Sequence, residues 1–188
     1  MQEDRIRLSF KYFNKFMVLL WKLGLSNWLN IWPKVLGRYL VITHTGRKSG
    51  AKFQTPVNYA VVDGEIYCVA GFGRESDWYK NVKKNPSIDV WLQDGWWQAN
   101  AEEVIGQPNQ IEIMRAVLVG SGFAARMFGI NPLKIDDATL KYLTRDYCLM
   151  KLKLVNQRTG NDGPNQYAWV WPITTLLLTI AVLRKRKK

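Results

Sequence analysis

The sequence predicts an α+β domain in which a meander of short antiparallel strands is flanked by helices. Three observations carry that prediction: apolar residues at helical spacing near the start, short runs rich in Val, Ile, Tyr and Trp through the middle, and a return to helical spacing after Ile105. With 188 residues, 47% of them hydrophobic, the chain is long enough to bury one sizeable core, which excludes intrinsic disorder.

From Leu8 to Leu23, Phe10, Phe13, Met17 and Leu20 recur at helical spacing, joined by Tyr12, Phe16, Leu19 and Leu23, while Lys11, Lys15 and Lys22 make the opposite stripe. This basic amphipathic helix can cover a core or lie at a lipid boundary. Its continuation through Trp28, Ile31 and Trp32 to Pro33 suits the headgroup region, where tryptophan collects. Residues 1–38 therefore form an amphipathic helical region. Because Met1 to Arg7 is charged and the apolar run has no small-residue cleavage site, no cleaved leader is expected.

Strands are expected at Tyr39 to Thr45, Phe53 to Val62, Glu65 to Phe72, Ser87 to Gln93 and Trp96 to Ile105. Asp63-Gly64 and Asp94-Gly95 read as two-residue hairpin turns, since Gly and Asp best tolerate positive φ at both central positions. A short helix, Asp77 to Lys84, interrupts the meander, with Ser76 placed to cap it and Pro86 to close it. Past Ile105 the helical pattern breaks near Gly120 and Gly129, and a last strand runs from Cys148 to Val155. Residues 39–155 thus make the main domain. Residues 156–166, polar with two Gly and a Pro, read as a linker.

Residues 167–183 carry no charge and precede the basic tail 184–188. As a helix this stretch would reach roughly 25 Å, short of the roughly 30 Å hydrocarbon core, and Pro172 falls within it. It is expected to contact a membrane, by a span or by lying in the interface. The positive-inside rule keeps the basic tail on the cytoplasmic side, and an interfacial or re-entrant segment bent at Pro172 and a tail-anchored span both stay open.

With 27 Lys and Arg against 15 Asp and Glu, a charge of +12 calls for an anionic partner: a phosphorylated ligand, a lipid surface or nucleic acid. Nucleic acid fits poorly, because the charge gathers in the helix, one loop and the tail rather than along an aromatic-studded sheet. Two cysteines, Cys68 and Cys148, without CxxC spacing exclude a disulfide scaffold and a structural zinc site, and suit a reducing cytoplasmic setting. His44 is the single histidine, so no His-based metal cluster forms, and GxSxG, HExxH and GxxxxGKS are all missing. Nothing in these patterns suggests hydrolytic chemistry. His44 reads as a structural hydrogen-bonding residue, and the adjacent pairs Glu102-Glu103 and Asp136-Asp137 diverge as solvated surface charges.

Two segments carry binding chemistry. Thr45-Gly46-Arg47-Lys48-Ser49-Gly50 joins tight-turn glycines to two cations and a hydroxyl, so its backbone N–H groups can form an anion-holding concavity. An exposed hairpin turn uses the same residues. Ala70-Gly71-Phe72-Gly73-Arg74 ends a strand before Ser76-Asp77-Trp78-Tyr79-Lys80-Asn81, where small residues and helix-start N–H groups allow a flat ligand to approach. Trp78 and Tyr79 can wall such a ring, or Trp78 and Val82 can be the buried side of the short helix.

In that order, Thr43-His44-Thr45-Gly46-Arg47-Lys48-Ser49-Gly50, Thr55-Pro56-Val57-Asn58-Tyr59, Gly71-Phe72-Gly73-Arg74 and Asp77-Trp78-Tyr79-Lys80-Asn81 with Asn85-Pro86 resemble the deazaflavin-dependent nitroreductase family. The resemblance covers roughly residues 8 to 155. It implies a split β-barrel of the FMN-binding type and coenzyme F420 as cofactor, with FMN the alternative. Arg47, Lys48 and Ser49 would hold the cofactor's phosphate and acidic tail. Gln54, Thr55, Pro56, Val57 and Asn58, then Val69, Ala70, Gly71 and Phe72, then Asp77, Trp78, Tyr79, Lys80 and Asn81, would line the deazaflavin. The implied reaction is hydride transfer to a quinone, nitro compound or enone, with no catalytic side chain and no metal, because the chemistry is the cofactor's.

This chain departs from the resemblance in two places. Substrate-binding tyrosines of some members have no equivalent in Lys134-Ile135-Asp136-Asp137-Ala138-Thr139-Leu140, and the segment from 167 to the tail lies beyond the usual domain end. The expectation is a reductase of a lipophilic acceptor at the cytoplasmic face of the cell membrane, with an anionic lipid surface as partner. A non-catalytic protein holding the cofactor or a lipid is the other reading.

Overall fold

The structure, a computed structural model, describes residues 2–26 and 37–186, so the expected continuation through Trp28, Ile31, Trp32 and Pro33 lies outside the described residues. Six strands close into an antiparallel barrel: β1 (Tyr39–Thr45), β2 (Lys52–Val62), β3 (Glu65–Ala70), β4 (Ser87–Leu92), β5 (Gly95–Glu103) and β6 (Cys148–Arg158). Their order around the barrel is β1-β2-β3-β6-β5-β4. Closure removes sheet edges, and strand alternation sends Leu40, Ile42, Val57, Cys68, Val90 and Met150 inward. Each aliphatic side chain buried this fully contributes roughly 1.5 to 3 kcal/mol.

The helices are α1 (Gln2–Lys22), α2 (Asp77–Lys84), α3 (Gln110–Gly120), α4 (Phe123–Met127), α5 (Asp137–Leu143) and α6 (Val170–Arg186). Helix α3 lays Ile113, Met114, Val117 and Leu118 on a second core with Ala60, Tyr67 and Leu149 from the outer face of the barrel. Helix α1 divides its apolar face. Met17, Val18 and Trp21 are buried, the last two against Val41 and Trp91, while Tyr12, Phe13, Phe16 and Leu19 stay exposed.

The first hairpin turn holds Asp63 and Gly64 at φ 51° and 78°, the positive pair a two-residue turn requires. The second sits one residue earlier than Asp94-Gly95. Leu92 pairs with Gly95, so Gln93 and Asp94 make the loop, and Asp94 does not take positive φ. Ser76 stands at the N-cap of α2, yet its side chain makes no capping bond.

The C-terminal region differs most from expectation. Strand β6 runs past Val155 to Arg158, because the long β5 keeps offering ladder partners as far as Trp96. Arg158 pairs with Asp89 and lies over the Trp96 ring at 5.1 Å. The segment between β6 and α6 touches the domain: Gly163 sits against Trp96, and Asn165 N–H donates to the Trp21 carbonyl at 3.0 Å. Tyr167 N–H donates to Lys22 O at 2.8 Å, and Trp171 Nε1–H to Leu23 O at 2.7 Å. These bonds occupy carbonyls that the end of α1 leaves open.

Pro172 does not interrupt α6, since it lies in the first turn, where a backbone N–H has no helical acceptor anyway. Among the described residues, no helix is long and apolar enough to cross a membrane.

Candidate functional site

A cleft of about 1130 Å³ opens where β1, β2 and the end of β3 meet α1, α2, α3 and α4. Both binding segments singled out in the sequence line it. The loop contributes Arg47, Lys48 and Ser49; strand β2 contributes Gln54, Thr55, Pro56, Val57 and Asn58. Val69, Gly71 and Phe72 come from β3 and its end, and α2 brings Asp77, Trp78 and Asn81.

Ala70, Tyr79 and Lys80 lie elsewhere. Strand alternation turns Ala70 into the barrel core while Val69 and Gly71 face the cleft. On α2, residues 77, 78 and 81 share the cleft face, so Tyr79 and Val82 become the buried side, and Trp78 stays only partly buried. Burial, together with its bond to Glu103, pushes the Tyr79 hydroxyl well above its ordinary value. Lys80 pairs with Glu75 at 3.0 Å and lines a separate basin with Arg74, Tyr79, Lys83 and Glu103. Glu103 is not the solvated charge its neighbour Glu102 is. Burial alone would raise its carboxyl, but bonds from Lys83 and Tyr79 outweigh that and hold it below the usual range.

The two glycines after β3 serve different ends. A Cβ on Gly71 would meet nothing within 4 Å, which leaves its backbone open to the cleft. Gly73, at φ 53°, is filled from behind: a Cβ there would collide with the Asp146 carbonyl oxygen. Its small size serves chain packing rather than ligand approach.

The basic loop is held by α2. Arg47 donates from Nη2 to the Asp77 carboxylate at 2.9 Å and from Nη1 to Asn81 Oδ1 at 2.9 Å, while its backbone N–H donates to the same Oδ1 at 3.1 Å. Gly46 and Gly50 N–H groups close the turn internally. The expected concavity is therefore narrower than the sequence suggests. Among the described residues, the N–H groups of Lys48 and Ser49 and the Lys48 ammonium have no protein acceptor, and they are what an anion would meet.

Beneath the loop a polar chain runs into the barrel mouth. Asn81 Nδ2 lies 3.2 Å from His44 Nδ1, and His44 Nε2 lies 3.1 Å from Thr55 Oγ1. Burial drives the His44 pKa down from 6.5 to about 4, against the pull of Asp77 and with the push of Lys52, so the ring is neutral near pH 7. Phe53 stacks on it at 5.9 Å.

Several cleft residues escaped the sequence reading. Lys11, Phe13 and Lys15 of α1 face the cleft, as do Phe123, Met127 and Phe128 around α4 and Tyr147 before β6. The signal for α4 was a cluster of aromatic and Met residues between Gly122 and Gly129, too short to show helical period. Phe13, Phe123, Met127, Phe128 and Tyr147 add apolar surface to the cleft, and Lys11 and Lys15 add two cations beyond those of the loop.

A cleft lined by a cationic loop and by Val57, Val69, Phe72 and Trp78 fits a flat, partly apolar ring bearing an acidic tail, on a closed barrel. That defines a barrel with a cofactor-sized cleft. A family model described as F420H(2)-dependent quinone reductase matches residues 31–135, and the chain belongs to that family. It is a deazaflavin-dependent reductase and its cofactor is coenzyme F420, the first of the two left open by the sequence.

Among solved structures, the chain is similar to an F420-H2 dependent reductase (FDR-A), with 26% identity over 63% of this chain and 97% of that one and a TM-score of 0.43. It is also similar to the conserved hypothetical protein Rv2991 from Mycobacterium tuberculosis, with 18% identity over 77% of this chain and 84% of that one and a TM-score of 0.47.

Proposed function

We propose that this reductase delivers hydride from reduced F420 to a lipophilic, quinone-type acceptor at the cytoplasmic surface of an anionic membrane. The observation that carries the membrane part is α6. Trp171, Ile173, Leu176, Leu177, Leu178, Val182 and Leu183 are all exposed on it, and its last residues, Arg184, Lys185 and Arg186, open the basic run of the sequence. Its three threonines turn their hydroxyls onto their own helix: Thr174 to Val170 O, Thr175 to Trp171 O and Thr179 to Thr175 O. The segment thus presents almost no unsatisfied polar group, as a lipid environment demands. Anionic headgroups would meet the basic run.

The acceptor class rests on the cleft's apolar surface. Phe13, Phe123, Met127 and Phe128 are exposed at its margin, a surface suited to a ring with a hydrocarbon tail. When bound, reduced F420 supplies the hydride. The protein's own part is to hold the acidic end at Lys48 and Ser49, to fix the ring against Val57 and Trp78, and to keep water from the ring face with α1 and α4.

The test is a vesicle flotation assay with and without phosphatidylglycerol, run beside F420H2 oxidation with a naphthoquinone. The proposal expects flotation only with anionic vesicles, loss of flotation on truncation after residue 166, and quinone turnover. A chain that stays with the soluble fraction, or that binds F420 and turns over no quinone, overturns the corresponding half.

A further inference from the structure

We propose that His44 is a positioning residue that fixes the hydroxyl proton of Thr55 toward the cleft, making Thr55 a hydrogen-bond donor to an acceptor atom of the ring bound there. The inference rests on the assignment of this cleft to F420 and gives His44, a cleft-lining residue, a part beyond the structural hydrogen bonding its sequence context suggests.

Donors and acceptors alternate along a single chain of atoms. Asn81 Oδ1 receives two donors from Arg47, its backbone N–H at 3.1 Å and Nη1 at 2.9 Å. That orients the amide, because only the oxygen can accept. Asn81 Nδ2 must then be the atom facing His44 Nδ1 at 3.2 Å, and an amide nitrogen can only donate. His44 Nδ1 is therefore an acceptor and the ring proton sits on Nε2. Nε2–H donates to Thr55 Oγ1 at 3.1 Å. A hydroxyl that accepts from a fixed donor has its own proton left to give, and Thr55 lines the cleft.

The arrangement is held rigidly at each link. Cross-strand pairing of His44 with Phe53 puts Thr55 two residues along the same face of β2, within reach of the imidazole. Only 2% of His44 is exposed, and Phe53 closes the ring from one side. The same network links the anion loop to the ring end of the cleft: Arg47, through Asn81 and His44, sets the polarity at Thr55. A protonated imidazole would present a second N–H to Asn81 Nδ2 and force the amide to turn away from Arg47. The low proton affinity of the buried ring keeps that from happening near neutral pH.

The experiment is a double-mutant cycle on F420 binding, read by fluorescence titration and by the absorption maximum of the bound cofactor. Thr55→Val and His44→Leu are each expected to weaken binding about fivefold, the loss of one neutral hydrogen bond, and to shift the absorption maximum in the same direction. In the Thr55→Val background, His44→Leu should add nothing to either readout. Thr55→Ser and His44→Gln, which keep the hydroxyl and a donor near Nε2, should restore both. Should His44→Leu fold poorly by circular dichroism, His44→Asn supplies the comparison, because its shorter amide reaches Asn81 but not Thr55. Equal losses from the His44 variant with and without the Thr55 hydroxyl overturn the inference, as does a Thr55→Val protein with wild-type affinity and spectrum. Failure of the wild-type chain to bind F420 at all is a different result and removes the cofactor assignment beneath it.

Discussion

The Gly46–Gly50 loop and helix α6 are both basic features that look built for an anionic partner, yet the barrel treats them in opposite ways. The loop is pinned by α2 through Asp77 and Asn81, and its backbone polar groups are largely used within the protein. Among the described residues, helix α6 is tied at its root to the carbonyls of Lys22 and Leu23, and its apolar side chains stand exposed along most of its length. A site that must recognise one small molecule needs its donors set in advance. A surface that meets fluid lipid needs only apolar area, satisfied backbone and charge.

The largest effect is expected at the loop. Arg47→Ala with Lys48→Ala should weaken F420 binding by about 2 to 4 kcal/mol, since it removes the Lys48 ammonium, the charge-assisted ties to α2 and one anchor of Asn81. Fluorescence titration measures it. The chain truncated after residue 166 should bind F420 as the full chain does; a comparable loss there would mean that α6 belongs to the cofactor site.

The next effect is on pH. Burial holds His44 near 4 against an ordinary value of 6.5, so between these values the unfolded chain binds a proton that the folded chain refuses. Stability that is fully present above the unfolded value is lost as pH falls toward 4, by roughly 3 kcal/mol. Urea unfolding at pH 7 and pH 4.5 reads it, and His44→Gln should flatten the difference between the two curves. A variant as acid-sensitive as the wild type would place the loss on the carboxylates instead.

How much of this was legible in sequence depends on the range of each interaction. Strand alternation and turn chemistry are local, so the meander and the two binding segments could be read directly. Tyr79 and Ala70 were grouped with the cleft because a motif names a stretch, whereas the face of a short helix or strand decides which of its residues arrive. The tie from Arg47 to Asn81 spans 34 residues, and no spacing rule anticipates it. The strand beyond Val155 and the packing of Gly163 under Trp96 depended on how far β5 continued. Barrel closure and the clasp between α1 and the C-terminal segment are likewise long-range facts.

A smaller effect tests that clasp. Trp171→Phe keeps the ring and removes the Nε1–H bond to Leu23 O, which should cost about 1 kcal/mol if the root of α6 caps α1 as part of the folded unit. Thermal unfolding monitors it. No change would mean that the root merely rests on α1.

The smallest expected change in stability is the most informative about α6 itself. Leu177→Asp with Leu178→Asp places two charges on side chains that are 62% and 63% exposed and touch no core. Surface substitutions of this kind shift stability by about 0.5 kcal/mol or less, so unfolding in urea should scarcely distinguish the variant from the parent. The same two carboxylates would carry negative charge into the surface proposed to meet anionic lipid, and flotation with phosphatidylglycerol vesicles should fall sharply. Stability and lipid binding are thereby separated on one helix. A variant that loses stability would show that these leucines have a protein partner, a second copy of the chain included, and one that still floats would return the lipid contact to the exposed aromatics of α1.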